Sequence, residues 1–353
     1  MAKTASDILN QIKDEEIEWV DLRFTDPKGK WQHLTMVASI LGEDELTDGL
    51  MFDGSSIEGW KAINESDMIL KPDLDSVYVD PFSASPMLII NCDIVEPSTG
   101  QAYSRDPRST AKKAEAYLKK LQWDEGEGKD KSDFTYGGAG YGNSKRPDLS
   151  NTSFLIDALV AAGNDKNSEA IQRALVFVSR CQNLESEHNT TPFAAKNPDG
   201  GFYYTPAGGG NSQAGTTDEG GLRSYASMTY AGLKSMIFAG VGPEDPRVKA
   251  AINWLKGHYD LKSNPGMADN GLFYYFHTFA KALDATNEET FVDEKGTAHP
   301  WRSELLKELV SRQRADGAWV NDNKRWMEGD ANLVTGYALL AIKYCKPKAA
   351  AGK

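Results

Sequence analysis

Residues 111–123, Ala-Lys-Lys-Ala-Glu-Ala-Tyr-Leu-Lys-Lys-Leu-Gln-Trp, separate two parts of the chain that have different sequence patterns. Apolar residues recur in this stretch at spacings of three and four with lysines between them, which predicts an amphipathic helix with one buried stripe. The stripe consists of Ala111, Ala114, Tyr117, Leu118 and Leu121. Asp106 is expected to cap the helix and Pro107 to begin it, because the missing N–H of proline would have no partner at that position. We expect the helix to close the first part and to open the second.

The composition is that of a globular chain, and its length favours two domains. The 353 residues exceed the roughly 250–300 at which a single core stops growing. The formal net charge is -12, so the excess of cations that neutralises phosphates is missing and nucleic-acid binding is not expected. No apolar run reaches the roughly 18 residues of a membrane span, and no secretory signal is recognised. We therefore expect a cytoplasmic protein without a transmembrane segment.

The residues before the helix are typical of a small α+β domain. Residues 4–13 predict a helix, and the near alternation of apolar and polar residues over 17–24 predicts a half-buried strand. Asp26-Pro27-Lys28-Gly29 predicts a turn. Further strands are expected at 30–37, 76–79 and 86–95. The three cysteines, Cys92, Cys181 and Cys345, form no CxxC pair, so neither a disulfide framework nor a Cys-based zinc site is expected.

Four motifs in this part carry a family resemblance. They are Val20-Asp21-Leu22-Arg23-Phe24-Thr25-Asp26, Phe52-Asp53-Gly54-Ser55-Ser56-Ile57, Asn64-Glu65-Ser66-Asp67-Met68 and Arg105-Asp106-Pro107-Arg108. With them, residues 4–120 closely resemble the N-terminal β-grasp domain of type I glutamine synthetase. The resemblance implies that Asp53 and Ser56 belong to a loop that helps to form the ammonium site of a neighbouring subunit. The same loop is equally well interpreted as a turn whose side chains bond the local backbone.

The resemblance does not extend to the catalytic groups of that family. Its metal-binding glutamates and its nucleotide and glutamate sites lie in a much larger C-terminal domain, and phosphoryl transfer depends on those metals. No counterpart is recognised in this sequence. Glu185-Ser186-Glu187 is interpreted as a solvated pair of acids in a helix-to-loop segment. No metal ligands and no cofactor are therefore expected.

Four helical repeats are expected after residue 123, where the strand pattern ends and amphipathic helices alternate with Gly-rich loops. The helix pairs are predicted at 108–122 and 152–163, 167–182 and 222–240, 245–258 and 274–284, and 300–313 and 331–344. The first helix of each pair ends in Gln, followed by a polar turn, Gly and an aromatic residue. Gln182 and Gln313 fit this pattern, Gln122 fits it loosely, and His258 stands in the third copy. The Gln amide is expected to bond the loop backbone and to stack on the aromatic ring.

The fourth copy, Gln313-x-x-Asp316-Gly317-x-Trp319, resembles the Gln-Trp motif of the squalene cyclase and protein prenyltransferase superfamily. Residues 223–233 and 328–335 look typical of a bacterial branch, and the resemblance covers about 115–345. It implies an α/α toroid of inner and outer helices. Because fewer hairpins are recognised here than a complete ring of that superfamily holds, we expect an open, incomplete toroid.

Two departures from that superfamily leave its activity open. The Asp-x-Asp-Asp motif of the cyclases is absent, and the Asp and Cys zinc ligands of the prenyltransferases are missing near 225–233. His277 is the one tempting ligand, but a lone histidine is more often a packed core residue. The aromatic residues of the inner helices either line an apolar cavity for an isoprenoid-like ligand or pack the core, and packing is favoured. These residues are Tyr225, Tyr230, Tyr274, Tyr275 and Phe276, beside His277.

The sequence therefore predicts a multidomain chain with a shared helix. A β-grasp domain is expected over 1–107, a junction helix over 108–123, an incomplete α/α toroid-like repeat domain over 124–346, and a disordered tail over 347–353. The main hypothesis is a binding or assembly protein that lacks the complete catalytic machinery of either family. Through the β-grasp domain, it would associate with itself or with a full-length glutamine synthetase.

Three other hypotheses stay open. In the first, the chain is a cyclase- or prenyltransferase-like enzyme that uses an unrecognised acid, and Asp199, Glu328 and Asp330 are the candidates for that acid. Alternatively, it is a glutamine-synthetase-related protein of nitrogen metabolism that lends Asp53 to the active site of a full-length partner. In the third hypothesis, the reading frame joins two unrelated genes within the junction helix.

Overall fold

The structure, a computed structural model, describes residues 3–142 and 146–346. The chain divides into two units, Met1–Ala116 and Tyr117–Lys353, and each has its own hydrophobic core. The tail predicted over 347–353 lies outside the described residues. In the described part of the chain, no helix is long and apolar enough to cross a membrane.

A five-stranded mixed sheet forms the first unit, in the order β2-β1-β5-β4-β3. Its elements are α1 (Ala5–Asp14), β1 (Trp19–Thr25), β2 (Trp31–Val37), α2 (Glu43–Asp48), β3 (Leu50–Asp53), β4 (Asp67–Val79) and β5 (Met87–Val95). Strand β1 pairs antiparallel with β2 and parallel with β5. Alternate residues of β1 are buried in the core together with Ile8 of α1. This arrangement is a β-grasp-like sheet.

The predicted hairpin is present, whereas the fourth strand differs from its prediction. Asp26 accepts the backbone N–H groups of Lys28 and Lys30, which closes the turn between β1 and β2. Strand β4 begins well before residue 76, and its pairing with β5 shifts register between Pro72 and Val77. The charged residues and the proline in its first half hid it from the alternation pattern, and α2 and β3 were too short to be recognised.

Helices build the second unit. The long helix α3 (Pro107–Lys120) begins in the first unit, and it is followed by α4 (Leu149–Ala161), α5 (Glu169–Arg180), α6 (Ala226–Phe238), α7 (Pro246–Lys256), α8 (Leu272–Ala285), β6 (Phe291–Val292), β7 (Ala298–His299), α9 (Trp301–Ser311) and α10 (Ala331–Tyr344). Helices α4, α6, α8 and α10 pack in succession, each against the next, and α5, α7 and α9 pack against them. We call the first set the inner helices and the second set the outer helices. The predicted helix pairs are all present, with ends shifted by a few residues.

The junction helix α3 begins as predicted but does not bury its apolar stripe. Asp106 is buried and accepts the backbone N–H groups of Arg108 and Ser109, and Pro107 follows it. Of the predicted stripe, Ala111, Ala114 and Tyr117 are exposed, while Leu118 and Leu121 are half-buried. The prediction of a buried stripe is therefore wrong for its first three residues. The reason is that no side chain of the described residues covers this part of the helix.

Glutamine side chains join neighbouring outer helices in the second unit. The Gln122 amide donates to the carbonyl oxygen of Gly137 in the following loop and to that of Ala170 in α5, both at 2.9 Å. In the next repeat, the Gln182 amide donates to Gly200 O at 2.9 Å and to Arg247 O of α7 at 2.8 Å. Each amide thus holds its own helix end, the loop after it and the next outer helix together. We call this contact the glutamine bridge.

The third and fourth predicted helix pairs lack the complete bridge. His258 Nδ1 lies 2.7 Å from Trp254 O, and its ring stacks on that of Trp254 within the same segment. The connection to α9 is made instead by the ion pair of Lys262 with Glu308 and by related contacts. Gln313, in the last repeat, donates to Gly317 O at 2.8 Å. Among the described residues, no second acceptor corresponds to the one that Gln122 and Gln182 find on the next outer helix.

The bridge predicts unequal effects of the same substitution at two glutamines. Gln182→Met removes both donors from buried carbonyl oxygens, so we expect the free energy of unfolding to fall by about 2–3 kcal/mol. Gln313→Met is the matched control, because Gln313 is exposed and makes one loop contact, and its loss is expected to be below about 1 kcal/mol. Urea denaturation of the full chain measures both. Equal losses at the two positions would contradict the bridge.

Candidate ligand-binding site

A cavity of about 330 Å³ lies at the N-terminal ends of the inner helices. Residues of the first two turns of α4, α6 and α8 form its floor, and α10 and three loops complete the wall. Half of its lining residues are aromatic: Tyr141, Phe154, Tyr204, Tyr225, Tyr274, Trp326 and Tyr337. The remaining lining includes the neutral polar residues Ser150, Asn151, Gln213 and Ser227, and one carboxylate, that of Glu328. We call this cavity the aromatic pocket.

The floor of the aromatic pocket is set by the start of α4. The Asp148 side chain accepts the N–H and the side-chain amide of Asn151, which fixes where α4 begins. Ser150, in the first turn, then lies with its hydroxyl 2.9 Å from that of Tyr274 on α8. The Phe154 ring follows one turn later and contacts the same tyrosine. A capping aspartate therefore positions three lining side chains.

A strained loop forms one wall. Trp326 and Met327 have φ angles of 54° and 63°, the left-handed region that residues other than glycine seldom adopt. The Arg325 guanidinium lies 4.2 Å from the centre of the Trp326 ring and donates to Gln213 Oε1 at 2.8 Å, which holds this loop against another wall. Such strain persists where the surroundings impose it, and it is concentrated at functional sites.

Glu328 is the buried acid of the pocket, and its carboxylate accepts three hydrogen bonds. It accepts the backbone N–H groups of Tyr274 at 2.8 Å and Phe273 at 3.3 Å, and the amide of Asn321 at 2.7 Å. It therefore caps the N-terminus of α8 from another loop. Burial raises the pKa of Glu328, although these hydrogen bonds act in the opposite direction. The arrangement holds the carboxylate still and leaves it little freedom to move toward a substrate.

The other two candidate acids lie outside the aromatic pocket. Asp330 is exposed and caps α10 through the N–H of Asn332 at 2.8 Å. Asp199 accepts the Ser224 hydroxyl at 2.7 Å and lies in a separate groove beside Trp254. Both carboxylates therefore have local structural partners.

The aromatic residues nominated from the sequence divide into two groups. Tyr225 and Tyr274 line the aromatic pocket, whereas the other three are buried in the core. The core group consists of Tyr230, Tyr275 and Phe276. A helix turns by about 100° per residue, so only one residue of three successive aromatics on α8 faces the cavity. Tyr141, Tyr204 and Trp326 come from loops, where no periodicity pointed to them.

His277 lies beside the pocket and belongs to a buried ionic cluster. Its ring stacks on Phe154 at 6.2 Å, and its Nδ1 has no hydrogen-bond partner among the described residues. Asp157 Oδ2 lies 2.7 Å from the Nζ atoms of both Lys234 and Lys281. Burial, together with the two ammonium groups, lowers the pKa of His277 to about 4. Burial also lowers the pKa of Lys234 to about 8.

Sequence reasoning missed this cluster because its members come from three helices. The available signal was Lys234, the one charged residue of helix α6. In residues 3–142 and 146–346, no group of three or more His, Cys, Asp or Glu side chains is arranged to hold a metal ion.

The loop that carries the glutamine synthetase resemblance is exposed and bonded within itself. Asp53 Oδ1 accepts the Ser55 N–H at 2.8 Å and hydroxyl at 2.6 Å, and these bonds lower the pKa of Asp53. The Ser56 hydroxyl donates to Asp53 O at 2.6 Å. Both interpretations of this loop are compatible with that geometry. Glu185 and Glu187 are exposed, as the solvated interpretation predicted.

Burial of His277 predicts a pH-dependent stability. Between pH 6.5 and about 4, the unfolded chain binds a proton at this residue while the folded chain does not, so stability falls as the pH decreases. The full loss is about 3 kcal/mol. His277→Leu should remove this part of the pH dependence, because leucine binds no proton. Urea denaturation at several pH values measures it, and an unchanged slope in His277→Leu would contradict the assignment.

Comparisons with known proteins concern the first unit. Residues 16–97 match the family described as glutamine synthetase, beta-Grasp domain. Glutamine synthetase of Rhizobium meliloti (strain 1021) is 61% identical over 116 residues, which are 33% of this chain and 25% of that protein. The enzyme of Cereibacter sphaeroides is 61% identical over 119 residues, 34% of this chain and 25% of that protein.

The chain also matches a protein that is named for a different activity. It is 50% identical over 119 residues to 3-hydroxylaminophenol mutase of Cupriavidus pinatubonensis (strain JMP 134 / LMG 1197), covering 34% of this chain and 25% of that protein. The chain spans about a quarter of the length of the curated relatives it matches. The match therefore identifies a domain and leaves the activity of the chain open. The first unit of this chain is a glutamine synthetase N-terminal β-grasp domain.

Proposed function

We propose that the chain is a binding protein that holds a small ligand in the aromatic pocket of its helical unit. The observation that carries this proposal is the pocket itself, in which seven aromatic side chains and four neutral polar ones surround about 330 Å³. Ligand pockets in proteins are mostly apolar and hold a few placed polar groups. The strained Trp326 in its wall supports a functional role.

The engaged carboxylates favour binding over catalysis. A general acid has to reach the atom that it protonates, and Glu328, the acid in the pocket, is held by three donors. Asp199 and Asp330 have structural partners elsewhere. A cyclase- or prenyltransferase-like enzyme therefore stands as the weaker hypothesis for this unit.

We also propose that the helical unit is an incomplete α/α toroid of the squalene cyclase and prenyltransferase type. The succession of inner helices and the glutamine bridges support this architecture. Repeat proteins need polar terminal repeats, yet the last repeat exposes Leu306, Val310, Leu339 and Leu340, and the first exposes Tyr117, Phe134 and Tyr141. Such exposure fits a truncated ring, and it is also expected if the reading frame joins two genes.

A bound molecule should depend on the free volume of the pocket. Ser150→Trp places a large ring inside the cavity, whereas Ser303→Trp, on the exposed face of α9, serves as the matched control. Small molecules are released from the purified full chain and identified by mass spectrometry. We expect a bound compound in the wild-type protein and in the control variant, and none in Ser150→Trp. Circular dichroism checks that both variants fold. Equal retention in all three proteins, or in none, would contradict the proposal.

The second candidate function is association with a full-length glutamine synthetase through the β-grasp domain, in cytoplasmic nitrogen metabolism. The observation that favours it is the set of large apolar side chains exposed on this unit, with Phe82 94%, Ile63 87%, Ile40 67% and Trp31 60% exposed. Contiguous exposed apolar patches mark surfaces that bind other proteins, and we propose that these four side chains belong to one such surface. In such an assembly, Asp53 and Ser56 would be lent to the ammonium site of the partner.

Co-assembly can be measured directly. Mixed with a full-length glutamine synthetase, the chain should elute with it in size-exclusion chromatography with light scattering. Phe82→Asp should weaken the association by about tenfold or more, because it buries a charge in the apolar contact. Leu340→Asp, which is exposed on the helical unit, should have no effect. Separate elution of wild type would exclude this function, as would equal behaviour of the two variants.

A further inference from the structure

Three aromatic rings in the wall of the aromatic pocket remain partly exposed. Trp326, Phe154 and Tyr141 keep 47%, 42% and 68% of their surface exposed, although each lines the cavity. An exposed ring in a pocket gains free energy when an apolar face packs on it. The ligand should therefore have at least one flat, carbon-bound face.

The polar side chains between these rings keep unused hydrogen-bonding capacity. The hydroxyls of Ser150 and Tyr274 share one hydrogen bond, so one of them still has its proton to donate. The Asn151 amide nitrogen donates to Asp148, while its side-chain carbonyl oxygen accepts no hydrogen bond from residues 3–142 and 146–346. Gln213 donates one long bond of 3.3 Å from an amide that carries two donors. A ligand with several hydroxyl groups would satisfy all of these side chains.

A purely hydrocarbon ligand fits this wall less well. It would take Ser150, Asn151, Gln213 and Ser227 out of water without offering them a partner, which costs free energy for each group. An isoprenoid chain, the ligand implied by the family resemblance, would meet this cost at four of the fourteen lining residues.

The two charged groups at the pocket, Glu328 and Arg325, are held by neutral partners within the protein. Glu328 is held by three donors, and Arg325 is stacked on Trp326 and bonded to Gln213. The N-terminal ends of α4 and α8, which would attract an anion, are capped by Asp148 and Glu328. Glu328 and Arg325 thus place one charge of each sign at the pocket, both already bonded within the protein, and this pair favours neither an anionic nor a cationic ligand.

We infer that the aromatic pocket binds a neutral saccharide of one or two rings. A sugar ring has a carbon-bound face that packs on aromatic rings and hydroxyls at its edge that bond to neutral amides and hydroxyls. The cavity of about 330 Å³ lies at the small end of the usual range of about 300–1,000 Å³, which suits one or two rings. This assignment rests on the proposed binding role of the pocket and names the class of its ligand.

The test compares three kinds of probe on the full chain by isothermal titration calorimetry. Glucose, galactose, mannose, maltose and cellobiose represent the saccharides, farnesol the apolar ligands and choline the organic cations. We expect saturable binding of at least one saccharide, and no saturable binding of farnesol or choline. Saturation-transfer NMR should show the carbon-bound protons of that sugar in contact with the protein.

Two variants separate the pocket from the rest of the surface. Asn151→Leu removes an amide from the wall and should weaken saccharide binding by about tenfold. Trp326→Leu removes the stacking ring and should also weaken it. Asn332→Leu, on the exposed side of α10, is the matched control and should bind as wild type does. Circular dichroism checks the fold of all three.

The other outcomes overturn the inference in distinguishable ways. In one outcome, no saccharide binds, but farnesol or choline does, and Trp326→Leu weakens that binding. The ligand class is then wrong, while the binding role of the pocket stands. Saccharide binding that is unchanged in both pocket variants would place the sugar elsewhere on the chain. If none of the probes binds and no compound is released from the wild-type chain, both the saccharide and the binding role are wrong.

Discussion

The first part of the helical unit depends on one kind of contact, made by a glutamine side-chain amide just after a helix end. Through two N–H donors, Gln122 fixes its following loop and α5, and Gln182 does the same for its loop and α7. The loops held in this way carry Tyr141 and Tyr204 into the wall of the aromatic pocket. The glutamine bridge thus connects the packing of the repeats with the shape of the site.

Glycine in the repeat motif is required by the same contact. Gly137 and Gly200 have φ angles of 82° and 80°, and each lies against the next outer helix. A Cβ atom on Gly137 would lie 1.8 Å from Arg173 O, and one on Gly200 would lie 2.9 Å from Ala250 O. Any side chain would push the loop away from the helix and out of reach of the glutamine amide. The pairing of Gln and Gly in the motif is therefore a consequence of close approach.

Much of the architecture was readable because it depends on local patterns. Caps such as Asp106 and the spacing of apolar residues predicted the helices, and alternation predicted β1 and β2. The burial of α3 was not readable, since an amphipathic pattern says what a face requires and not whether another surface covers it. The sequence predicted part of the pocket lining. Tyr274 lies on a helix that the spacing of apolar residues predicted, whereas the position of Trp326 depends on a strained loop. The pairing of Asp157 with Lys234 and Lys281 joins three helices, and no short stretch of sequence encodes it.

The central claim is that a ligand binds in the aromatic pocket, and the Trp326 ring reports on it directly. The chain contains eight tryptophans, so labelling with 5-fluorotryptophan gives separate fluorine resonances that Trp326→Phe and Trp31→Phe assign. With glucose, galactose, mannose, maltose, cellobiose and farnesol added separately, the account predicts that at least one of them shifts the Trp326 resonance in a saturable way and leaves the Trp31 resonance unchanged. A Trp326 resonance that none of these compounds moves, or equal shifts at both positions, would contradict it.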